Sequence, residues 1–222
     1  MGSRHAAKRS QRLRQLAYFT THGGALAPPC RVMFETMERR PIWLVGMMGA
    51  GKSAVGPLLA CSLVRRFVDS DVEIERLTGM AVSEIFSTEG EQAFRDRERR
   101  LIEDLSGGSD VVALGGGAIA QPGAAAFLGR TGSVVYLKAS ASSLLVRLGD
   151  CSERPLLHGL APEGRLARLE TLLAERASAY ETAVIAVDTG RRTVEAVAEE
   201  ILRRLDAARP GHESDIEKGV RV

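Results

Sequence analysis

The stretch Gly46-Met47-Met48-Gly49-Ala50-Gly51-Lys52-Ser53 carries the residue types that hold a phosphate chain. Glycines let successive backbone N–H groups turn inward around an anion with no Cβ in the way, and a helix opening at the same point adds partial positive charge. In this pattern Lys52 reaches the β- and γ-phosphates of a nucleotide and the Ser53 hydroxyl ligates Mg²⁺. The bland alternative is a glycine turn that only joins two elements. The apolar run before the loop and the helical spacing after it weigh against that reading.

Further along, Phe67-Val68-Asp69-Ser70-Asp71 places two carboxylates two residues apart where an apolar run ends. Strand periodicity sends both to one side, facing the phosphate loop. One can hold Mg²⁺ through water while the other takes a proton from an attacking hydroxyl. Alternatively, the two only cap the next helix. Gly115-Gly116-Gly117 closes another apolar run, Val111 to Leu114, and lets backbone come close to a ligand. Arg95 and Glu98 lie three apart on a highly charged helical stretch, where an exposed ion pair is the plain reading. Arg176 carries the same ambiguity. Arg154, beside Pro155 in a punctuated loop, suits the neutralisation of charge that builds on a transferring phosphate. The length that remains holds neither a Ras-type switch apparatus nor a long ATPase core, so a kinase for a small molecule is expected.

Positioning these groups requires a regular scaffold. From Pro41 onward, short apolar runs alternate with helical stretches, the rhythm of a parallel sheet with helices on both faces. Strands are expected at Ile42 to Val45, Phe67 to Asp69, Val111 to Leu114, Val134 to Leu137 and Val184 to Val187. Helices are expected at Lys52 to Val64, Asp71 to Leu77, Gly90 to Leu105, Ser140 to Leu148, Glu163 to Tyr180 and Thr193 to Arg209. Ser140 reads as an N-cap, and Gly79 and Gly107 as C-caps. The segment 149–164 is polar and broken by Gly and Pro, as a mobile lid would be.

With 222 residues, 45% hydrophobic and 26% charged, the chain falls in the globular range. Net charge is +2, and the excess is local. Residues 1–40 hold eight Arg or Lys against two Glu, or +6, which leaves −4 for the body. That balance, with 5% aromatics, disfavours a nucleic-acid partner. No apolar run reaches the roughly 18 residues of a membrane span. Cys30, Cys61 and Cys151 are too few and scattered for a disulfide framework, which suits a reducing, cytoplasmic setting. Residues 1–39 read as a basic, disordered extension, with a transit peptide or a start at Met33 or Met37 as alternatives. Residues 210–222 read as a disordered tail.

Taken in order, these stretches resemble shikimate kinase. The likeness runs from Pro41 to Leu205 and rests on the phosphate loop, Asp69-Ser70-Asp71, Phe94-Arg95 with Glu98, Gly115 to Gly117, Arg154-Pro155-Leu156-Leu157, and Glu175-Arg176 with Tyr180. It implies a three-layer α/β P-loop domain over 40–209, with a five-stranded parallel sheet, a substrate-binding helical segment over 71–105 and a lid over 149–164. It also implies transfer of the ATP γ-phosphate to the 3-hydroxyl of shikimate, with Mg²⁺, in a monomeric cytoplasmic enzyme. Lys52, Asp71 and Arg154 would be catalytic. Gly46, Met47, Met48, Gly49, Ala50, Gly51, Lys52, Ser53 and Ala54 would bind ATP together with Arg147, Arg154, Arg191 and Arg192. Asp71, Arg95, Glu98, Gly116, Gly117 and Arg176 would bind shikimate, and Ser53 and Asp69 the metal.

Two positions depart from the family pattern. Pro57 stands early in the first helix where a basic residue is common, and proline is tolerable only near a first turn. Thr193-Val194 replaces a frequent Asn-Pro, which bears on the adenine contacts from that loop. The rival functions are a kinase for another small acid such as gluconate, and a P-loop module that binds nucleotide without catalysis. The first would not require Arg95, Arg176 and the glycine run together. The second has no reason to keep Lys52, Ser53, Asp69, Asp71 and Arg154.

Overall fold

The structure is a computed structural model that describes residues 40–149, 156–157 and 159–208. The expected extension over 1–39, the tail over 210–222, and residues 150–155 and 158 of the expected lid, Arg154 among them, lie outside the described residues. Strands β1 (Ile42–Val45), β2 (Phe67–Asp69), β3 (Val111–Ala113), β4 (Ser133–Lys138) and β5 (Ile185–Asp188) form one parallel sheet in the order β2-β3-β1-β4-β5. The central strand, β1, reads Ile-Trp-Leu-Val and is buried on both faces. Ile42 and Leu44 enter one hydrophobic core, Trp43 and Val45 the other.

Helices α1 (Lys52–Ser62), α6 (Ala141–Leu148), α7 (Pro162–Tyr180) and α8 (Val194–Ala207) supply Leu59, Leu144, Leu169 and Ile201 to the first core. The second core takes Ile74, Ile85, Phe94 and Leu128 from α2 (Ser70–Thr78), α3 (Val82–Thr88), α4 (Gly90–Leu105) and α5 (Ala124–Thr131). From β1 the chain builds toward β3 and β2 on one side and toward β4 and β5 on the other. The strand ends beside β1 are therefore the switch point at which such sheets bind ligands.

Several boundaries differ from expectation. β3 stops one residue early and β4 gains one at each end. β5 starts at Ile185 because Val184 is exposed. α1 ends at Ser62, since Val64 takes φ +54°, which no helix continues. Thr193 is the N-cap of α8, its Oγ1 accepting from the Ala196 N–H at 3.2 Å, and α8 stops at Ala207. Ser140 caps α6 as expected, accepting from the Ser143 N–H. Gly79 closes α2 at φ +70°, whereas α4 is capped by Ser106 and Gly107 comes one residue later. Pro57 lies at the sixth position of α1, beyond the first turn, and the helix runs through it.

Helices α3 and α5 and a 3₁₀ turn at Ala118–Ala120 carry no sequence signal that would announce them. Each helix is short and lacks a side-chain N-cap, and each buries one residue, Ile85 or Leu128. Among the described residues no helix is long and apolar enough to cross a membrane.

Candidate active site

The phosphate loop joins β1 to α1, and its glycines do what only glycine can. Gly46 sits at φ +142°, where a Cβ would lie 2.5 Å from the Leu137 carbonyl oxygen, and Gly51 at φ +99° is the N-cap of α1. The Lys52 ammonium bends back over the loop and donates to the carbonyls of Gly46 at 2.7 Å and Met47 at 3.1 Å. Met48, Gly49 and Ala50 complete the turn, which is closed by the Ala50 N–H on the Met47 carbonyl. Ala54, in the first turn of α1, donates its N–H to the Gly51 carbonyl.

Ser53 Oγ donates to Asp69 Oδ2 at 2.6 Å. Asp69 Oδ1 accepts from the Asp71 N–H at 3.1 Å, so the residue is also the N-cap of α2. This corrects the strand argument for the aspartate pair. β2 ends at Asp69 and Asp71 already belongs to a helix, so a helix cap and not strand periodicity holds the two together. Among the described residues no group of three or more His, Cys, Asp or Glu could hold a metal. The Ser53 hydroxyl and the Asp69 carboxylate are two hard oxygen ligands at the mouth of the loop. Such a set fits Mg²⁺, which keeps waters and draws further ligands from phosphate.

The residues expected to bind the acceptor gather at the glycine run after β3. A Cβ on Gly115 would lie 2.3 Å from Glu98 Oε1 and 3.1 Å from Asp71 Oδ1. On Gly117 it would lie 2.7 Å from Arg95 Nη2, and on Gly116 3.5 Å from Arg176 Nη1. Glu98 and Arg95 thus leave no room for a side chain at Gly115 and Gly117, a steric reason that composition could not supply, whereas at Gly116 a Cβ would make only ordinary van der Waals contact. The Gly115 N–H donates to Ser70 Oγ at 3.0 Å, and Ser70 is fully buried.

Arg95 and Glu98 do form the i, i+3 ion pair, at 2.7 Å, but it is buried, with the two side chains 9% and 1% exposed. Arg95 also holds Glu91 at 3.0 Å. Burial pushes the Glu98 carboxyl above its ordinary value against the pull of Arg95, and the nearby Asp71 adds to the rise. Glu98 Oε1 is buried and accepts no hydrogen bond. A cavity of about 510 Å³ opens between α4 and α5, sharing Arg95 and Glu98 as one wall.

At the far side, Arg147 Nη1 donates to Thr189 Oγ1 at 2.9 Å and to the Gly49 carbonyl at 3.3 Å, and its Nη2 donates to the Thr189 carbonyl. It therefore ties the phosphate loop to the loop after β5. Arg192 instead donates to the Ala196 carbonyl at 2.9 Å, and Arg191 stands exposed at φ +51°. Sequence reasoning missed Ser70 and Thr189. Both are buried hydroxyls in segments that look like ordinary loop ends, and no pattern marked them.

The shikimate kinase family model matches residues 48–206 of this chain. The chain belongs to the shikimate kinase family. The shikimate kinase of Chlorobium chlorochromatii is 40% identical over 178 residues, which span 77% of this chain and 94% of that protein. That of Halorhodospira halophila is 46% identical over 166 residues, 74% of this chain and 92% of the relative. The solved structure of the Acinetobacter baumannii shikimate kinase in complex with shikimate is 40% identical and superposes with a TM-score of 0.73, covering 78% of this chain and 96% of that one. As a shikimate kinase the chain is an ATP-dependent phosphotransferase of aromatic amino-acid biosynthesis, with shikimate as acceptor.

Proposed function

We propose that the γ-phosphate of ATP passes to the 3-hydroxyl of shikimate at the junction of the phosphate loop and the Gly115–Gly117 turn. The observation that carries this reading is the convergence of Asp71, Glu98, Arg95 and Arg176 on those three glycines. Arg95 and Arg176 grip the acceptor carboxylate, because planar guanidinium groups pair with it bidentately and two of them fix the ring. Asp71 takes the proton from the attacking hydroxyl. Gly116 and Gly117 present backbone to the acceptor, and Glu98 orients Arg95.

The residues Gly46 to Ala54 cradle the phosphates, with Lys52 acting on charge that develops in the transition state. Ser53 and Asp69 hold Mg²⁺, which when bound neutralises charge on the β- and γ-phosphates. Arg154 closes on the transferring group as part of a lid over 149–164, and Arg147 stacks on adenine, with Arg191 and Arg192 beside it.

Residues 40–209 form the catalytic domain in this reading, and 1–39 and 210–222 are extensions outside the chemistry. The enzyme works as a cytoplasmic monomer without nucleic-acid or membrane partners. A coupled assay of ADP release tests the acceptor, comparing shikimate, gluconate, nucleoside monophosphates and no acceptor. Stimulation by shikimate alone is expected, and equal release without it would overturn the reading.

A further inference from the structure

Gly116 sits where the two substrate sites meet. A Cβ on it would lie 3.4 Å from the Met48 nitrogen and 3.5 Å from the Gly46 carbonyl oxygen, so the phosphate loop passes within about one methyl group of it. Its own carbonyl accepts two hydrogen bonds, from Arg176 Nη1 at 3.1 Å and from Tyr180 Oη at 2.6 Å. The same Arg176 nitrogen lies 3.6 Å from Met47 Sδ. Arg176 and Tyr180 are one turn apart on α7. Tyr180 is 1% exposed, and its ring stacks on Tyr136 of β4 at 4.7 Å with an interplanar angle of 9°. The phenol is therefore stacked on a strand of the sheet while its hydroxyl reaches the glycine turn.

We propose that Tyr180 is a positioning residue for acceptor binding, its hydroxyl holding the Gly116 carbonyl so that Arg176 is released to the acceptor carboxylate. The inference rests on the reading of Arg176 as a carboxylate-gripping residue. A carbonyl oxygen has two lone pairs, and here both are used. When an acceptor arrives, Arg176 must turn some of its N–H groups to it. If Tyr180 were absent, that movement would strip the Gly116 carbonyl of its remaining donor, and a polar group left without a partner at a packed site is costly. The carbonyl would then compete with the acceptor for the guanidinium. With Tyr180 in place the exchange leaves the turn satisfied and its backbone fixed against the phosphate loop. Burial pushes the Tyr180 hydroxyl up to about 12, so it remains a donor at any working pH.

Tyr180→Phe keeps the ring and its stack and deletes only the donor. Loss of one neutral hydrogen bond should raise KM for shikimate about threefold to tenfold, with kcat and KM for ATP within about twofold of wild type. In an Arg176→Ala background the same change should add nothing, because its effect is exerted through Arg176. Replacing Tyr180 by 4-aminophenylalanine restores a donor and should return KM for shikimate toward wild type. A 4-fluorophenylalanine control, which has no donor, should not, and this pair serves if Tyr180→Phe does not fold.

The failures are separable. Unchanged shikimate kinetics in Arg176→Ala would remove the carboxylate reading on which the inference stands. A raised KM in Arg176→Ala, with no change in Tyr180→Phe, would overturn the role of Tyr180 alone. So would an equal effect of Tyr180→Phe in both backgrounds, or a fall in kcat with no rise in KM for shikimate.

Discussion

The Ser53 hydroxyl donates to Asp69 Oδ2 at 2.6 Å, joining the first turn of α1 to the end of β2. A neutral and a charged oxygen group are thereby held together at the mouth of the phosphate loop, the pair proposed above to hold Mg²⁺. Asp69→Asn keeps the shape and the cap on α2 but loses the charge that attracts a hard cation. The concentration of Mg²⁺ giving half-maximal rate should rise by on the order of tenfold in Asp69→Asn and in Ser53→Ala. Titration of activity with Mg²⁺ at saturating ATP measures it, and an unchanged midpoint in both would place the metal elsewhere.

Lys52 rests on the Gly46 and Met47 carbonyls, so it is already over the loop that receives the phosphates. Lys52→Ala should lower kcat by on the order of 10²-fold or more, because the ammonium acts mostly on charge that builds in the transition state. Asp71→Asn should lower kcat while ATP still binds, as judged by equilibrium titration of nucleotide. Near-normal turnover in either variant would show the role to be misassigned.

Arg95 and Arg176 should each contribute charge-assisted hydrogen bonds to the acceptor, worth about 1.5 to 3 kcal/mol, or roughly ten- to more than a hundredfold in kcat/KM. Arg95→Lys should already be impaired, because lysine has no planar fork. ATP affinity without acceptor should hardly change in variants at either position. Arg154→Ala should instead cut kcat more than KM for shikimate. Steady-state kinetics with each substrate varied distinguishes the two patterns.

Glu98 titrates above the ordinary carboxylate value of 4.5, chiefly through burial. In the interval between that value and the raised one, the folded protein binds the proton and the unfolded chain has lost it. The contribution of this group to stability is therefore largest at low pH and falls as pH rises through the raised value. Glu98→Gln cannot ionise, so wild type should lose stability relative to Glu98→Gln as pH increases from 4 upward. Urea denaturation at a series of pH values reads the difference, and a flat difference would argue against the burial effect.

A Cβ on Gly115 would meet Glu98 Oε1 at 2.3 Å, and that carboxylate is held by Arg95 and cannot swing away. Gly115→Ala should destabilise the fold by about 1 to 3 kcal/mol and raise KM for shikimate, through displacement of the Glu98 and Arg95 pair. Thermal unfolding and shikimate kinetics measure the two effects. Normal values for both would mean that the turn relaxes freely.

Much of this protein could be read from residue order. The alternation of apolar runs with helical spacing determined the five-stranded parallel sheet, because both periodicities are local properties of the backbone. The phosphate loop was legible for a related reason: its chemistry is made by consecutive backbone N–H groups and one adjacent side chain. Tertiary structure alone decided what the long-range contacts do. Arg95 and Glu98 form an i, i+3 pair at any exposure, and only packing against the glycine turn buries it and raises the Glu98 carboxyl. Asp69 serves Ser53 and the cap of α2 at once, which requires β2 to end beside α1. The glycine run reads as a place where backbone comes close to a ligand, and the structure adds a steric demand for glycine at Gly115 and Gly117, from Glu98 and Arg95 of α4. Helices α3 and α5 escaped notice because each buries one residue against the core and neither has a side-chain cap. Steric demands and burial depend on neighbours remote in sequence, and no spacing along the chain encodes them.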